Sequence, residues 1–167
     1  MSRAFVKEDS DAPEEPRKRQ PSGLPNYVTP NGRSLLSAKV EELAARRAAL
    51  LAEKRADEPR ALLLSQTEQD LAYYQAQLKR AILVDNRGLE VPEARFGSVV
   101  SVKEENGAVR EYSIVGEDEA DAASGRLNWA SPLAKLLLGS RPGQKATLSR
   151  GSGDITLEVT GVRYPKD

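Results

Sequence analysis

Two apolar stripes separated by a single proline break constrain this chain more than any other feature. In the first, Leu36, Val40, Leu43, Leu50 and, beside them, Ala44, Ala48 and Leu51 recur at spacings of three, four and seven, with Arg47 and Lys54 at the remaining seam positions. In the second, Leu64, Thr67, Leu71, Tyr74, Leu78 and Ala81 or Ile82 repeat at heptad spacing. Between them stands Asp57-Glu58-Pro59. Proline disfavours helix for the residue before it and suits the first turn of a new one, so the chain must stop and restart there. Two amphipathic helices joined by a tight turn can bury their stripes only against each other, which predicts an antiparallel coiled-coil hairpin. Thr29 caps its start, with Pro30 as first helical residue. From Pro30 to Arg55 the arm should run about 26 residues and about 39 Å.

Past Asp85 the period changes to two. Ser98-Val-Val-Ser-Val-Lys103 alternates, Asn106-Gly107 supplies a hairpin turn, and Arg110-Glu-Tyr-Ser-Ile-Val115 returns. Arg126 to Trp129 reads as a further strand, Pro132 to Leu138 as a short helix stopped by Gly139, and Lys145–Leu148 and Ile155–Tyr164 as closing strands around a turn at Gly151-Ser-Gly153. The fold class is therefore α+β: an N-terminal antiparallel α-helical hairpin, residues 29–85, followed by a small antiparallel sheet domain with one helix, residues 86–167. Residues 1–28 hold Pro13, Pro16, Pro21 and Pro25 among charged residues and read as a disordered tail, its Arg17-Lys18-Arg19 run a solvated charge cluster.

Composition removes whole classes of chemistry. The chain has no Cys and no His, which excludes disulfides, thiol nucleophiles, thiolate zinc sites and imidazole bases. The 25 Lys and Arg balance the 25 Asp and Glu, so no overall basic field draws in nucleic acid. No stretch suits a membrane span and the start turns acidic where a signal peptide turns apolar, so a cytoplasmic protein is expected. The acidic run Glu117-Asp-Glu-Ala-Asp121 lacks the alternate-residue spacing of a calcium loop and reads as an exposed acidic loop. Trp129, the only tryptophan, reads as core.

With these segments in hand, the chain resembles the Gre (GreA/GreB) family of bacterial transcript-cleavage factors over about residues 27–165. Phe96-Gly97, Tyr112-Ser-Ile-Val-Gly116-Glu-Asp-Glu-Ala-Asp121, Ser131-Pro-Leu-Ala-Lys-Leu-Leu-Leu-Gly139, Pro142-Gly143 and Val162-Arg-Tyr164 carry the match, with Thr29, Gly32, Leu36 and Val84-Asp85 in the arm. The resemblance implies an FKBP-like sheet domain. It implies an arm inserted through the secondary channel of bacterial RNA polymerase, and docking on the polymerase rim by Ser131, Pro132, Leu133 and Ala134. Two departures stand out. The family's Gly-Asp-x-x-Glu-Asn tip is replaced by Arg55-Ala-Asp57-Glu58-Pro59-Arg60, and the arm is about a dozen residues short, roughly 9 Å of reach.

Cleaving backtracked RNA takes two divalent ions and a positioned water, and hard cations take oxygen ligands. Asp57 and Glu58 are the candidate catalytic and metal-ligating acids, shared with the polymerase, with Glu53 a lesser one. As turn residues they need no such role, since Asp caps helices and acids favour a helix start. Arg46, Arg47, Lys54, Arg55 and Arg60 cluster on the distal arm as contacts to RNA phosphate or acidic channel walls, or as a plain solvated face. The expected protein is not an enzyme but at most a cofactor of the polymerase's own nuclease activity. It is expected to have no cofactor of its own beyond the Mg²⁺ of the polymerase active site. Backtracked RNA would be met only within the elongation complex, DNA only indirectly, and a monomer is expected. Two alternatives stand beside this. One is a non-catalytic secondary-channel regulator that inhibits or competes at RNA polymerase. The other is a prolyl isomerase, disfavoured because only Phe96, Tyr112, Trp129 and Tyr164 are available to line a pocket.

Overall fold

A computed structural model describes residues 19–55 and 57–167. Strand β1 (Asn26–Val28) leads into helix α1 (Pro30–Ala52), and helix α2 (Glu58–Lys79) returns into strand β2 (Ala81–Leu83). The sheet domain follows as β3 (Val99–Glu104), β4 (Val109–Val115), a 3₁₀ turn (Ala122–Ser124), β5 (Arg126–Asn128), α3 (Pro132–Leu137), β6 (Lys145–Leu148) and β7 (Ile155–Arg163).

The two helices pack against each other as expected, but the seam between them is narrower than the pattern indicates. Gly32, Leu36, Leu43 and Leu50 are buried on α1, and Thr67 and Gln77 on α2. Ala44, Ala48 and Leu51 are exposed, because a two-helix arm has no third surface to cover a wide stripe. Helix α1 ends at Ala52 rather than Arg55, so its 23 residues span about 34 Å, not 39 Å. Thr29 caps it as predicted, its side chain accepting from the Gly32 N–H with Pro30 following.

Three expectations need correction. Ala81 and Ile82, read as the end of the second helical stripe, lie in strand β2, because α2 ends at Lys79. Residues 1–18 of the predicted tail lie outside the described residues, but Asn26–Val28, assigned to that tail, is a strand pairing in parallel with Ala81–Leu83. The five-stranded sheet, in order β5-β4-β3-β7-β6, is mixed rather than antiparallel, because β5 runs parallel to β4. The Glu117–Gly125 connection carries the chain back to the start of β4's pairing, where an immediate hairpin would have reversed it. The Asn106-Gly107 turn does form, with Gly107 at φ +85° and its N–H bonded to the Glu104 carbonyl.

Alternation along β3 sends Val100 and Val102 into a core completed by Ala94, Ile114, Leu127, Ala134, Leu137, Leu157 and Val159. Val99 and Val115 are buried as well and border a cavity of about 240 Å³ shared with Thr29, Asn31 and Glu119 at the base of the arm. The base of the arm therefore packs over one end of the sheet.

Candidate functional site

The arm tip is a closed turn. Asp57 is the N-cap of α2, Oδ1 accepting from the Arg60 N–H at 3.0 Å while Oδ2 lies 3.2 Å from the Arg55 guanidinium. Arg60 reaches back across the turn, donating from Nε to the Leu50 carbonyl at 2.7 Å and standing 3.8 Å from Glu53. The Nε bond gives a partner to the Leu50 carbonyl, one of those left unpaired at the end of α1. Glu58 is exposed and has no ion pair among the described residues.

The five basic residues of the distal arm thus divide. Arg47 bridges the two helices to Glu68 at 2.8 Å, Arg55 pairs with Asp57, and Arg60 is engaged by the turn. Arg46 and Lys54 are exposed, with no ion pair among the described residues. Among those residues no group of three or more carboxylates lies close enough to hold a metal ion. The tip can therefore supply one or two oxygen ligands to a cation held elsewhere, and does not make a site alone.

At the other candidate site, Ser131 caps α3, accepting from the Ala134 N–H at 3.3 Å. Pro132 is exposed, Leu133 is half-buried against the core, and Ala134 is fully buried. Of the four predicted docking residues, Pro132 is the one most open to a partner. Leu133 also lines a groove of about 330 Å³ with Tyr112, Leu148, Ile155 and Leu157, in which Tyr112 is the only aromatic ring. The other rings serve elsewhere. Trp129 packs edge-on against Tyr27 with centroids 5.1 Å apart, and Phe96 lies 6.2 Å from the same ring. The Tyr164 hydroxyl accepts from the Arg95 N–H and donates to the Glu93 carbonyl.

At the base of the arm the structure also departs from the sequence reading. The run Glu117-Asp118-Glu119-Ala120-Asp121 is an exposed acidic loop only in part: Glu119 is buried and Asp118 half-buried against the base of the arm, whereas Glu117 keeps an exposed bond and Asp121 is exposed. Glu119, 8% exposed, accepts from the Thr29 hydroxyl at 2.5 Å and the Asn31 amide at 2.8 Å. Asp118 accepts from the Tyr73 hydroxyl and the Gln77 amide, each at 2.8 Å. Glu117 accepts from Ser22 at 2.7 Å. Burial, then the bond to Asp118, holds the Tyr73 phenol well above its ordinary range. Two glycines permit the approach. A Cβ at Gly32 would stand 2.5 Å from Glu119 Oε2, and one at Gly116 would overlap the Tyr27 carbonyl oxygen. Both glycines were visible in the sequence; their partners, far away along the chain, were not.

The frame of the candidate residues is thus a two-helix arm joined at its base to a small mixed sheet, with acidic and basic side chains at the tip and a capped short helix on the sheet domain. The family model described as transcription elongation factor, GreA/GreB, C-terminal, matches residues 90–164. The transcription elongation factor GreA of Roseiflexus sp. (strain RS-1) is 31% identical over 156 residues, covering 85% of this chain and 99% of that one. GreA of Bacillus anthracis (strain CDC 684 / NRRL 3495) is 34% identical over 87 residues, 52% of this chain and 55% of its own. The solved structure of GreA factor homolog 1 (Gfh1) of Thermus thermophilus aligns over 84% of this chain and 99% of its own, at 21% identity and a TM-score of 0.40. The chain belongs to the GreA/GreB family of transcription elongation factors.

Proposed function

We propose that this chain acts on bacterial RNA polymerase as an elongation factor, docking by the exposed start of α3 and directing its arm into the secondary channel. The observation that carries the reading is the arm itself, two helices whose tip is already closed by the Asp57 and Arg60 bonds, so that entering a channel costs little further ordering. Pro132, exposed beside the capped turn of Ser131, is the docking contact, with Leu133 as its apolar neighbour. At the tip Glu58 is the acid available to the polymerase's Mg²⁺ and the backtracked RNA. Arg46 and Lys54 are the cations available to phosphate or to acidic channel walls.

A second reading, a non-catalytic regulator that occupies the channel and inhibits or competes there, is favoured by a specific observation. Each Asp57 oxygen already has a partner, Oδ1 the Arg60 N–H of the α2 cap and Oδ2 the Arg55 guanidinium, so a metal would compete with both for the carboxylate's charge. The arm length points the same way. Helix α1 stops at Ala52, three residues before the end its sequence pattern indicates, which leaves an arm of about 34 Å. Stalled, backtracked elongation complexes separate the two readings. Transcript shortening faster than with polymerase alone supports the first, while binding with unchanged or slowed cleavage supports the second. Absence of binding overturns both.

A further inference from the structure

We infer that Asp118 and Glu119 are positioning residues that fix the direction of the helical arm relative to the sheet domain. The two acids are neighbours on one loop but grip different helices. Glu119 holds the start of α1 through Thr29 and Asn31, and Asp118 holds the end of α2 through Tyr73 and Gln77. One attachment to a rod leaves it free to swing, whereas attachments on two antiparallel helices at the same end set its angle. The loop that carries both acids begins in close contact with the base of the arm, since Gly116 lies against the Tyr27 carbonyl with no room for a side chain.

The grip on α1 runs through the helix cap. The Thr29 hydroxyl accepts from the Gly32 N–H at 2.9 Å while donating to Glu119 at 2.5 Å, so one hydroxyl joins the first turn of the helix to the carboxylate. Among the described residues every side-chain donor to these two acids is neutral: a threonine, an asparagine, a tyrosine and a glutamine. Bonds from neutral groups to a carboxylate are directional, unlike the diffuse attraction of a surface ion pair, and they lose strength quickly when the angle changes. Gln77 supports the assignment in a second way. It is wholly buried, yet its amide oxygen has no partner among the described residues. A buried, half-satisfied amide costs stability, so its presence fits a demand for geometry more than for stability.

The test uses the free full-length chain and therefore stands apart from whether polymerase is the partner. The protein has no cysteine, so Arg46→Cys on the arm and Lys145→Cys on the sheet carry nitroxide labels without background. Pulsed dipolar spectroscopy on the otherwise unchanged chain should give a single narrow distance distribution. Asp118→Asn with Glu119→Gln, which keeps size and removes charge, should broaden it about twofold or add a second population while the circular dichroism of helices and of Trp129 is retained. Tyr73→Phe with Asn31→Ala removes a donor from each helix and leaves the acids in place; it should broaden the distribution in the same way, and it decides the matter if the first variant fails to fold. A folded variant of either pair with the unaltered distribution overturns the assignment. So does a loss of melting temperature without any change in the distances, which is what a merely stabilising role would give.

Discussion

At the scale of single residues, Asp57 and Glu58 sit side by side in sequence and do different work. Asp57 is consumed by the helix cap, and replacing an N-cap Asp by Ala costs about 1 kcal/mol. Asp57→Ala should therefore lower the stability of the arm in chemical denaturation, whereas Glu58→Ala, exposed and without an ion pair among the described residues, should change it by less than about 0.5 kcal/mol. If the tip assists cleavage, the ranking reverses in the elongation complex. Glu58→Ala should abolish the effect and Asp57→Ala should weaken it and raise the Mg²⁺ requirement. Tyr73 yields a pH dependence. Its phenol titrates above the ordinary value of 10.0 because the fold buries it and bonds it to Asp118, so the protonated form favours the folded state. That stabilisation is complete below about pH 10 and is lost as pH rises beyond it. Tyrosinate absorbance should show a late-ionising group that Tyr73→Phe removes. Tyr164, raised by its own burial, should remain as a second late group.

At the scale of elements, the arm depends on a thin line of contacts. Leu43 is 3% exposed and Leu51 48% exposed, although both stood in the predicted stripe. Leu43→Ala should cost about 2–4 kcal/mol and Leu51→Ala less than about 0.5 kcal/mol, a contrast measured by denaturant titration. The helices themselves were legible because heptad spacing, the Thr29-Pro30 start and the Pro59 restart are local signals. Most strands were legible for the same reason, through alternation and the Asn106-Gly107 turn. Local signals could not reveal β1, a three-residue strand whose only warrant is its pairing with Ala81–Leu83 across more than fifty residues of sequence. The same holds for the parallel direction of β5 and for the acidic loop. Glu117-Asp118-Glu119 has the composition of a solvated turn, and only the arrival of Tyr73, Gln77, Thr29 and Asn31 draws Asp118 and Glu119 against the arm. At the tip, sequence identified the acids and the bases but not their mutual commitments, which depend on how Arg60 folds back to Leu50.

At the scale of the whole molecule, the proposed docking residues sit on α3 of the sheet domain and the tip acids at the turn between α1 and α2, so the two roles should separate by mutation. Pro132→Arg changes an exposed side chain and should abolish polymerase binding in a pull-down without altering the melting curve. Leu133→Asp is a less clean probe because that side chain also packs on the core. Residues 86–167 carry 11 basic and 12 acidic side chains, and no row of rings alternates with cations. Free DNA or RNA should not shift in a gel at physiological salt, and a tight, salt-sensitive shift would contradict this view of the surface. The junction at the base has a consequence of scale. An arm of about 34 Å is a lever, and an angular slack of about 10° at its pivot sweeps the far end through about 6 Å. Metal ligation tolerates errors of only a few tenths of an ångström. If Glu58 is the metal ligand proposed above, the accuracy of its delivery is decided at the Thr29 and Glu119 end of the rod, and a change of one methyl at Gly116 would misdirect a carboxylate it never approaches.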